Sequence, residues 1–125
     1  MKFVNLTPHA INVIDKINLS IAPSGKSLRV SQELSPAMVV EGVTFYKATY
    51  GVLEMVDNET KEVDPPRNGP VRQTPLPPMM DDTVYIVSGQ CLEALKGLRS
   101  DFAAPGELVR DEAGKPVGCK GLRIN

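Results

Sequence analysis

The chain has 125 residues, of which 42% are hydrophobic and 23% charged, with a net charge of −1 at pH 7. A chain of this length folds as one domain that hides roughly two-thirds of its unfolded surface, so we predict a single domain over residues 1–125. Its 14 basic residues are offset by 15 acidic ones, which argues against bulk nucleic acid as a partner. No apolar run has the length of a membrane span or of a secretory signal, so we expect a cytoplasmic protein without a membrane partner.

Metal and cofactor sites are not indicated. Two cysteines and one histidine cannot supply a structural zinc site within one chain. Neither common glycine-rich nucleotide motif is present. We therefore predict no metal and no cofactor.

Alternating apolar and polar residues predict short strands in the first half of the chain. With the β-branched and aromatic segments that follow, the predicted strands are residues 3–6, 10–14, 17–21, 26–31, 43–50 and 51–56. Residues 32–41 fit no pattern, since Pro36 could begin a helical turn or mark a loop. Gly51 is predicted to form a bulge or a tight bend.

A proline-rich segment at about residues 60–82 contains six of the 11 prolines. Prolines fix φ and donate no hydrogen bond, so we predict an extended excursion over the surface. It is either a flexible loop or an arm that reaches a neighbouring subunit in a homo-oligomer.

Residues 84–98 predict a strand, a turn and a helix. The β-branched and aromatic run 84–87 ends at Ser88-Gly89, and three leucines then follow at helical spacing. After a loop at 102–106, segments 107–110 and 115–122 form a predicted hairpin around a turn at 111–114. The predicted fold is α+β, mostly antiparallel strands in a small barrel or bent sheet, with one or two short helices.

Candidate ligand-binding residues lie at the ends of these elements. Backbone N–H groups at a helix start and planar guanidinium groups both suit a phosphorylated or nucleobase-bearing ligand. The candidates are His9, Arg29, Tyr50, Ser88, Gly89, Arg99, Asp101 and Arg110. Two structural alternatives stay open: Arg99 and Asp101 can pair with each other or cap the helix end, and His9 can serve a structural role beside Pro8.

Catalysis has weaker support. Ser88, His9 and Asp101 are the residue types of a serine hydrolase, but the Gly-x-Ser-x-Gly motif is missing. We therefore assign no catalytic residue.

A series of short motifs runs along nearly the whole chain: Asn5-Leu6-Thr7-Pro8-His9-x-Ile11, Pro23-Ser24-Gly25, Arg29, Tyr50-Gly51, Tyr85-Ile86-Val87-Ser88, Arg99-x-Asp101, Val109-Arg110-Asp111-x-x-Gly114 and Gly118. In these motifs the chain resembles a group of uncharacterised small proteins of bacteriophages, prophages and some bacterial genomes. Its proline-rich segment is longer than is usual in that group. The resemblance implies a phage context and no particular chemistry.

Two hypotheses follow. The first is a protein that binds a small, nucleotide-type ligand, by which a phage could sequester a host defence signal. The second is a phage structural, assembly or interaction protein that uses the proline-rich arm between subunits. A small enzyme acting on a phosphoester is the third reading.

Overall fold

The structure is a computed structural model that describes residues 1–63 and 76–125, with the backbone alone at 31–33 and 49–52. This part of the chain is rich in β-strands and has one short helix. In chain order the elements are β1 (Lys2–Asn5), β2 (Ile11–Ile14), β3 (Asn18–Ile21), β4 (Lys26–Val40), β5 (Val43–Asp57), β6 (Thr83–Ile86), α1 (Gly89–Ala94), β7 (Phe102–Arg110) and β8 (Pro116–Arg123).

Six strands form the body of the protein in the order β1-β6-β7-β8-β2-β3. The predicted hairpins β2–β3 and β7–β8 are antiparallel, whereas β1–β6, β6–β7 and β2–β8 are parallel. The two ends of this order approach each other where Asn5 forms a bridge with Pro23, just after β3. The sheet is therefore barrel-like and nearly closed.

The core lies on both faces of β6, because successive side chains of a strand point to opposite sides. Tyr85 packs into a cluster with Leu92 and Leu95 from α1 and its C-terminal end. Ile86, which is fully buried, packs into a second cluster with Ile21. Burying a side chain of this size stabilises the fold by about 1.5–3 kcal/mol. Strand β6 therefore contributes to both core clusters.

β4 and β5 form a separate two-stranded sheet of 15 residues per strand. Residues 32–41, unassigned from sequence, thus contain the second half of β4, and 43–50 and 51–56 form one strand. Pro36 fits because the register shifts between Pro36 and Met38, and such an irregularity tolerates a residue without an N–H group.

The prediction of a loop at 102–106 is wrong, because β7 begins at Phe102. Pro105 pairs with Leu122 of β8, while the pairing of β7 with β6 ends at Ala103. Pro105 therefore lies beyond that pairing, where its missing N–H group breaks no ladder bond on the β6 side.

Most of the proline-rich segment, residues 64–75, lies outside the described residues, so its role as loop or arm stays a prediction. Both flanks contact the body. Val63 forms a bridge with Val56, and Leu76 is buried in the core. In residues 1–63 and 76–125 no helix is both long and apolar enough to cross a membrane.

Candidate functional site

The motif around Asn5 forms a turn that is held by the buried side chain of Asn5. The Asn5 side-chain amide donates to the carbonyl oxygens of His9 at 2.8 Å and Ile21 at 3.1 Å. Its Oδ1 accepts from the backbone N of Thr7 at 3.0 Å and from the Thr7 hydroxyl at 2.6 Å. Ser24 donates to the Asn5 carbonyl through both its backbone N and its hydroxyl. The asparagine thus joins the β1–β2 turn to the end of β3 and the turn that follows it.

His9 takes part in this turn through its main chain. Its carbonyl oxygen accepts from Asn5 and from the Thr7 hydroxyl, and the residue itself is exposed. The main chain of His9 therefore has a structural role in the turn that does not involve its imidazole.

Arg99 and Asp101 form a bidentate ion pair just after α1. Nε and Nη2 of Arg99 donate to the two carboxylate oxygens at 2.8 and 2.7 Å, with the side chains only 17% and 9% exposed. Arg99 also donates from Nη1 to the Pro77 carbonyl at 3.0 Å and stacks over the Phe102 ring at 5.2 Å. Three of its five N–H donors are thus used within the fold. This pairing of Arg99 with Asp101 is one of the structural alternatives that the sequence left open.

Ser88 and Gly89 lie at the start of α1. The Ser88 hydroxyl caps the helix by accepting from the Cys91 backbone N at 3.3 Å. Burial raises the pKa of the Cys91 thiol, which donates to the Leu28 carbonyl at 3.3 Å. The Gly89 backbone lies close to the guanidinium of Arg123, and a side chain there would displace this exposed group, since an added Cβ would lie 2.6 Å from Nη2.

The remaining candidates also have local roles. Arg29 pairs with Glu54 across the β4–β5 ladder at 3.1 Å, both side chains being well exposed. Arg110 donates to the Gly114 carbonyl at 2.9 Å within the β7–β8 turn. The side chain of Tyr50 lies outside the described residues.

Among the candidate residues whose side chains the structure describes, only Arg99 and Asp101 are joined to each other by a side-chain hydrogen bond or an ion pair. Arg110 stands at the far end of β7 from Asp101, about 30 Å away at the usual rise of a strand. Arg29 belongs to the β4–β5 hairpin, and Ser88 to the start of α1. Among the described residues no group of three or more His, Cys, Asp or Glu side chains could hold a metal ion.

A surface cleft of about 610 Å³ lies where the chain leaves α1 and enters β7, next to the C-terminus. Most of its surface is apolar, and of the eight candidate residues its lining includes only Arg99. The lining side chains that matter here are Met79, Lys96, Leu98, Arg99, Phe102 and Ile124. Two cationic side chains, Arg99 and Lys96, line the cleft. The charge of Arg99 is neutralised by Asp101, whereas Lys96 forms no ion pair with another described residue. We call this surface the cleft.

The most conspicuous surface lies elsewhere, on the β4–β5 hairpin. Residues 34–48 are exposed throughout, and we call them the distal arm. Seven large apolar side chains on it are between 48% and 66% exposed: Leu34, Met38, Val39, Val40, Val43, Phe45 and Tyr46. Its only charged residues are Glu41 and Lys47.

The distal arm has an apolar patch on one face of its tip. Val40 pairs with Val43 and Met38 with Phe45, and the two pairs share a face because strand side chains alternate. We call these four side chains the tip quartet. The strands join at Glu41 and Gly42, with φ of 50° and 79°, the two positive values of a type I′ hairpin turn.

Sequence reasoning missed this arm, although a signal was present. A glycine in a two-residue turn between runs of β-branched residues is a hairpin signal, and Glu41-Gly42 stands between Val40 and Val43. A sheet with one solvated face has polar residues on that face, whereas this ribbon has apolar residues on both faces. The pattern therefore indicates that both faces contact other protein surface.

Comparison of the chain with known protein families, with curated proteins and with solved structures finds no match.

Proposed function

We propose that this chain is an assembly protein that associates with further copies of itself through the distal arm. The observation that carries the proposal is the exposure of seven large apolar side chains on a two-stranded ribbon. A monomeric protein rarely exposes a contiguous apolar patch of this kind unless the patch contacts a partner.

The length of the arm supports the same function. An isolated two-stranded hairpin is at best marginally stable in water, and within the described residues the distal arm pairs with no third strand. Seven side chains that are each about half exposed present on the order of 700 Å² over the two faces of the ribbon, so partners that enclosed the ribbon would cover an area close to the ~800 Å² that each partner buries in a standard interface. Association would cover this surface and stabilise the ribbon.

The root of the arm is anchored firmly enough to transmit such a contact. Leu28 and Met55 are buried in the main core cluster, and the Leu28 backbone N donates to the Leu6 carbonyl at 3.0 Å. Ser27 and Asn58 are hydrogen-bonded through their side chains at the base. A partner that binds the tip would therefore be joined to the body through a root that is packed into the core. In the phage context that the resemblance implies, this is the form of a structural or assembly subunit.

The experiment that tests this function replaces Met38 and Phe45 together by threonine, Met38→Thr with Phe45→Thr. Threonine keeps the strand propensity but removes most of the apolar surface. Since each side chain is worth about 1.5–3 kcal/mol when buried, we expect self-association to weaken at least about 100-fold. The matched control is Ser35→Thr with Thr44→Ser, which changes two exposed arm residues without changing the tip quartet.

Sedimentation velocity over a range of concentrations measures the outcome. We expect the wild type and the control to sediment as an oligomer of the 13.6 kDa chain and the double variant to shift toward the monomer. A wild-type protein that is monomeric at every concentration would contradict the proposal.

A second candidate function is binding of a small, nucleotide-type ligand in the cleft, through which a phage protein could sequester a host signal. The cleft supports it by size, since small-molecule sites usually measure about 300–1,000 Å³. Lys96 in the lining offers a cation to a phosphate, and the exposed side chains of Met79 and Leu98 offer an apolar surface to a nucleobase. ADP-ribose or a cyclic dinucleotide should then raise the melting temperature of the wild type but not of Lys96→Glu. Equal shifts in both proteins, or none in either, would contradict this function.

A further inference from the structure

The distal arm and the cleft are chemically complementary. We propose that the tip quartet of one copy docks in the cleft of a second copy, an inference that rests on the proposed assembly function. Both surfaces are mostly apolar and carry exposed apolar side chains. Leu98, Met79 and Ile124 around the cleft are 40%, 60% and 73% exposed, so the cleft, like the tip, has an apolar surface that the described part of its own chain leaves uncovered.

The volumes agree with this pairing. A cavity of ~150 Å³ holds a benzene ring, and the cleft, at about 610 Å³, has room for the Phe45 ring together with its cross-strand neighbour Met38. Phe102 of the lining is only 2% exposed, because Tyr85 stacks against its ring at 5.4 Å and the Arg99 guanidinium lies over it at 5.2 Å. The Phe45 ring would therefore contact the exposed apolar side chains of Met79, Leu98 and Ile124.

The charges agree as well. Glu41 lies in the turn directly after Val40 of the tip quartet, and it is the only acidic residue of the distal arm. Lys96 lies at the cleft and is exposed. Arg99 adds little net charge, because Asp101 holds two of its nitrogens. Docking of the quartet would bring Glu41 toward Lys96, which fixes the orientation of the arm and selects this surface over other apolar ones.

The arm cannot fill the cleft of its own chain in this conformation. All residues of the distal arm are exposed, and none of them lines the cleft. The cleft must therefore receive the tip from another molecule. Because the contact joins two different surfaces, it closes as a reciprocal dimer or a ring, or else it continues as a chain of subunits.

The first test is a charge exchange. Glu41→Lys and Lys96→Glu each replace an attraction by a repulsion, so we expect each to weaken self-association about 3- to 10-fold at low ionic strength. The double variant, with both changes, restores the pair in reversed polarity and should associate within about twofold of the wild type. Two single variants that associate like the wild type, or a double variant weaker than either single one, would overturn the proposal.

The second test locates the contact. A chain with Val43→Cys is mixed with a chain carrying Ser100→Cys, whose substituted position lines the cleft, and the mixture is oxidised. The native cysteines are both buried, so we expect a disulfide-linked pair formed from one chain of each kind. Thr44→Cys, on the opposite face of the arm from Val43, is the matched control and should give much less of this product. Equal yields from the two arm positions would overturn the assignment.

The outcomes separate this inference from the function on which it rests. If the Met38 and Phe45 double variant becomes monomeric while the charge exchange and the cross-link both fail, the arm mediates assembly but binds elsewhere. If ADP-ribose occupies the cleft without changing the mass of the oligomer, the cleft is a ligand site and the docking assignment is wrong. If the wild type is monomeric, both the function and the inference fail.

Discussion

Replacing Asn5 by alanine should strongly destabilise the fold, because this polar residue is buried and hydrogen-bonded. The side chain is 1% exposed and makes four hydrogen bonds, of which the bond to the Ile21 carbonyl is fully buried. Losing the buried partner of that carbonyl costs about 1–3 kcal/mol. The other three bonds involve groups with some access to water, so each adds about 0.5 kcal/mol.

The expected total is about 3 kcal/mol for Asn5→Ala, measured as the free energy of unfolding in urea. For a domain of this size it corresponds to a fall in melting temperature of about 10 °C. Asn5→Asp keeps the two acceptor contacts with Thr7 but directs a carboxylate oxygen at the carbonyls of His9 and Ile21, so it should be at least as destabilising at pH 7.

The matched control is Asn12→Ala. Asn12 is exposed; its amide reaches the Val117 carbonyl only at 3.5 Å, and its Oδ1 accepts from the Ser20 hydroxyl at 2.9 Å. Water can replace both exposed bonds, so we expect a change within about 0.5 kcal/mol. An Asn5→Ala protein that is as stable as the control would refute the structural explanation of this motif and return attention to His9 as a ligand-binding residue.

Three further predictions concern the ion pair, a thiol and an acid. Arg99→Met leaves the Asp101 carboxylate buried without its partner and should cost about 2–3 kcal/mol in urea unfolding, whereas a change below about 0.5 kcal/mol would contradict the geometry. Because burial raises the pKa of Cys91, its thiol should resist Ellman's reagent at pH 8 until the protein unfolds; Cys91→Ser serves to assign the signal, and rapid labelling of Cys91 in the folded protein would be inconsistent with its burial. The pKa of Asp57 lies below its ordinary value of 3.8 because the backbone N–H groups of Thr60 and Glu59 donate to its carboxylate. The ionised Asp57 carboxylate therefore contributes its full stabilisation above pH 3.8, and this contribution is lost as the pH falls through the lowered pKa. Asp57→Asn should then reduce the dependence of the free energy of unfolding on pH in the acid range. An unchanged dependence would argue against these bonds.

The parts of the fold that the sequence predicted are those with local patterns. Residues 17–21 alternate cleanly and contain β3, and the turn at 111–114 joins β7 to β8 as expected. Asp111 closes that turn by accepting from the backbone N of Ala113 and of Lys115, which is the local chemistry that turn residues provide. Patterns of this range need no knowledge of the rest of the chain.

The parts that escaped prediction depend on distant partners. Pro105 sits in a strand because β6 stops pairing beside it, and Pro36 because the opposite strand shifts its register. The motif residues suggested a ligand site because their own partners were not visible in the sequence. Arg99, for example, binds Pro77, which lies 22 positions earlier in the chain.

The cleft could not be predicted for the same reason. Its lining comes from three separated stretches of the chain, around Met79, at 96–102 and at the C-terminus. The arm, by contrast, was within reach of sequence reasoning, since its turn and its apolar strands are contiguous. Pro36 and the unassigned stretch around it concealed a strand of 15 residues.

The most direct test of the arm as the assembly element is the mass in solution of a chain in which residues 34–48 are replaced by Asn-Gly. Residues Glu33 and Thr49 are partners in the ladder, so a two-residue type I′ turn can join them without changing the register. Light scattering should give a monomer for the shortened chain and an oligomer for the wild type, with the far-UV circular dichroism of the body retained. A shortened chain that keeps the mass of the wild-type oligomer would contradict the central role of the arm.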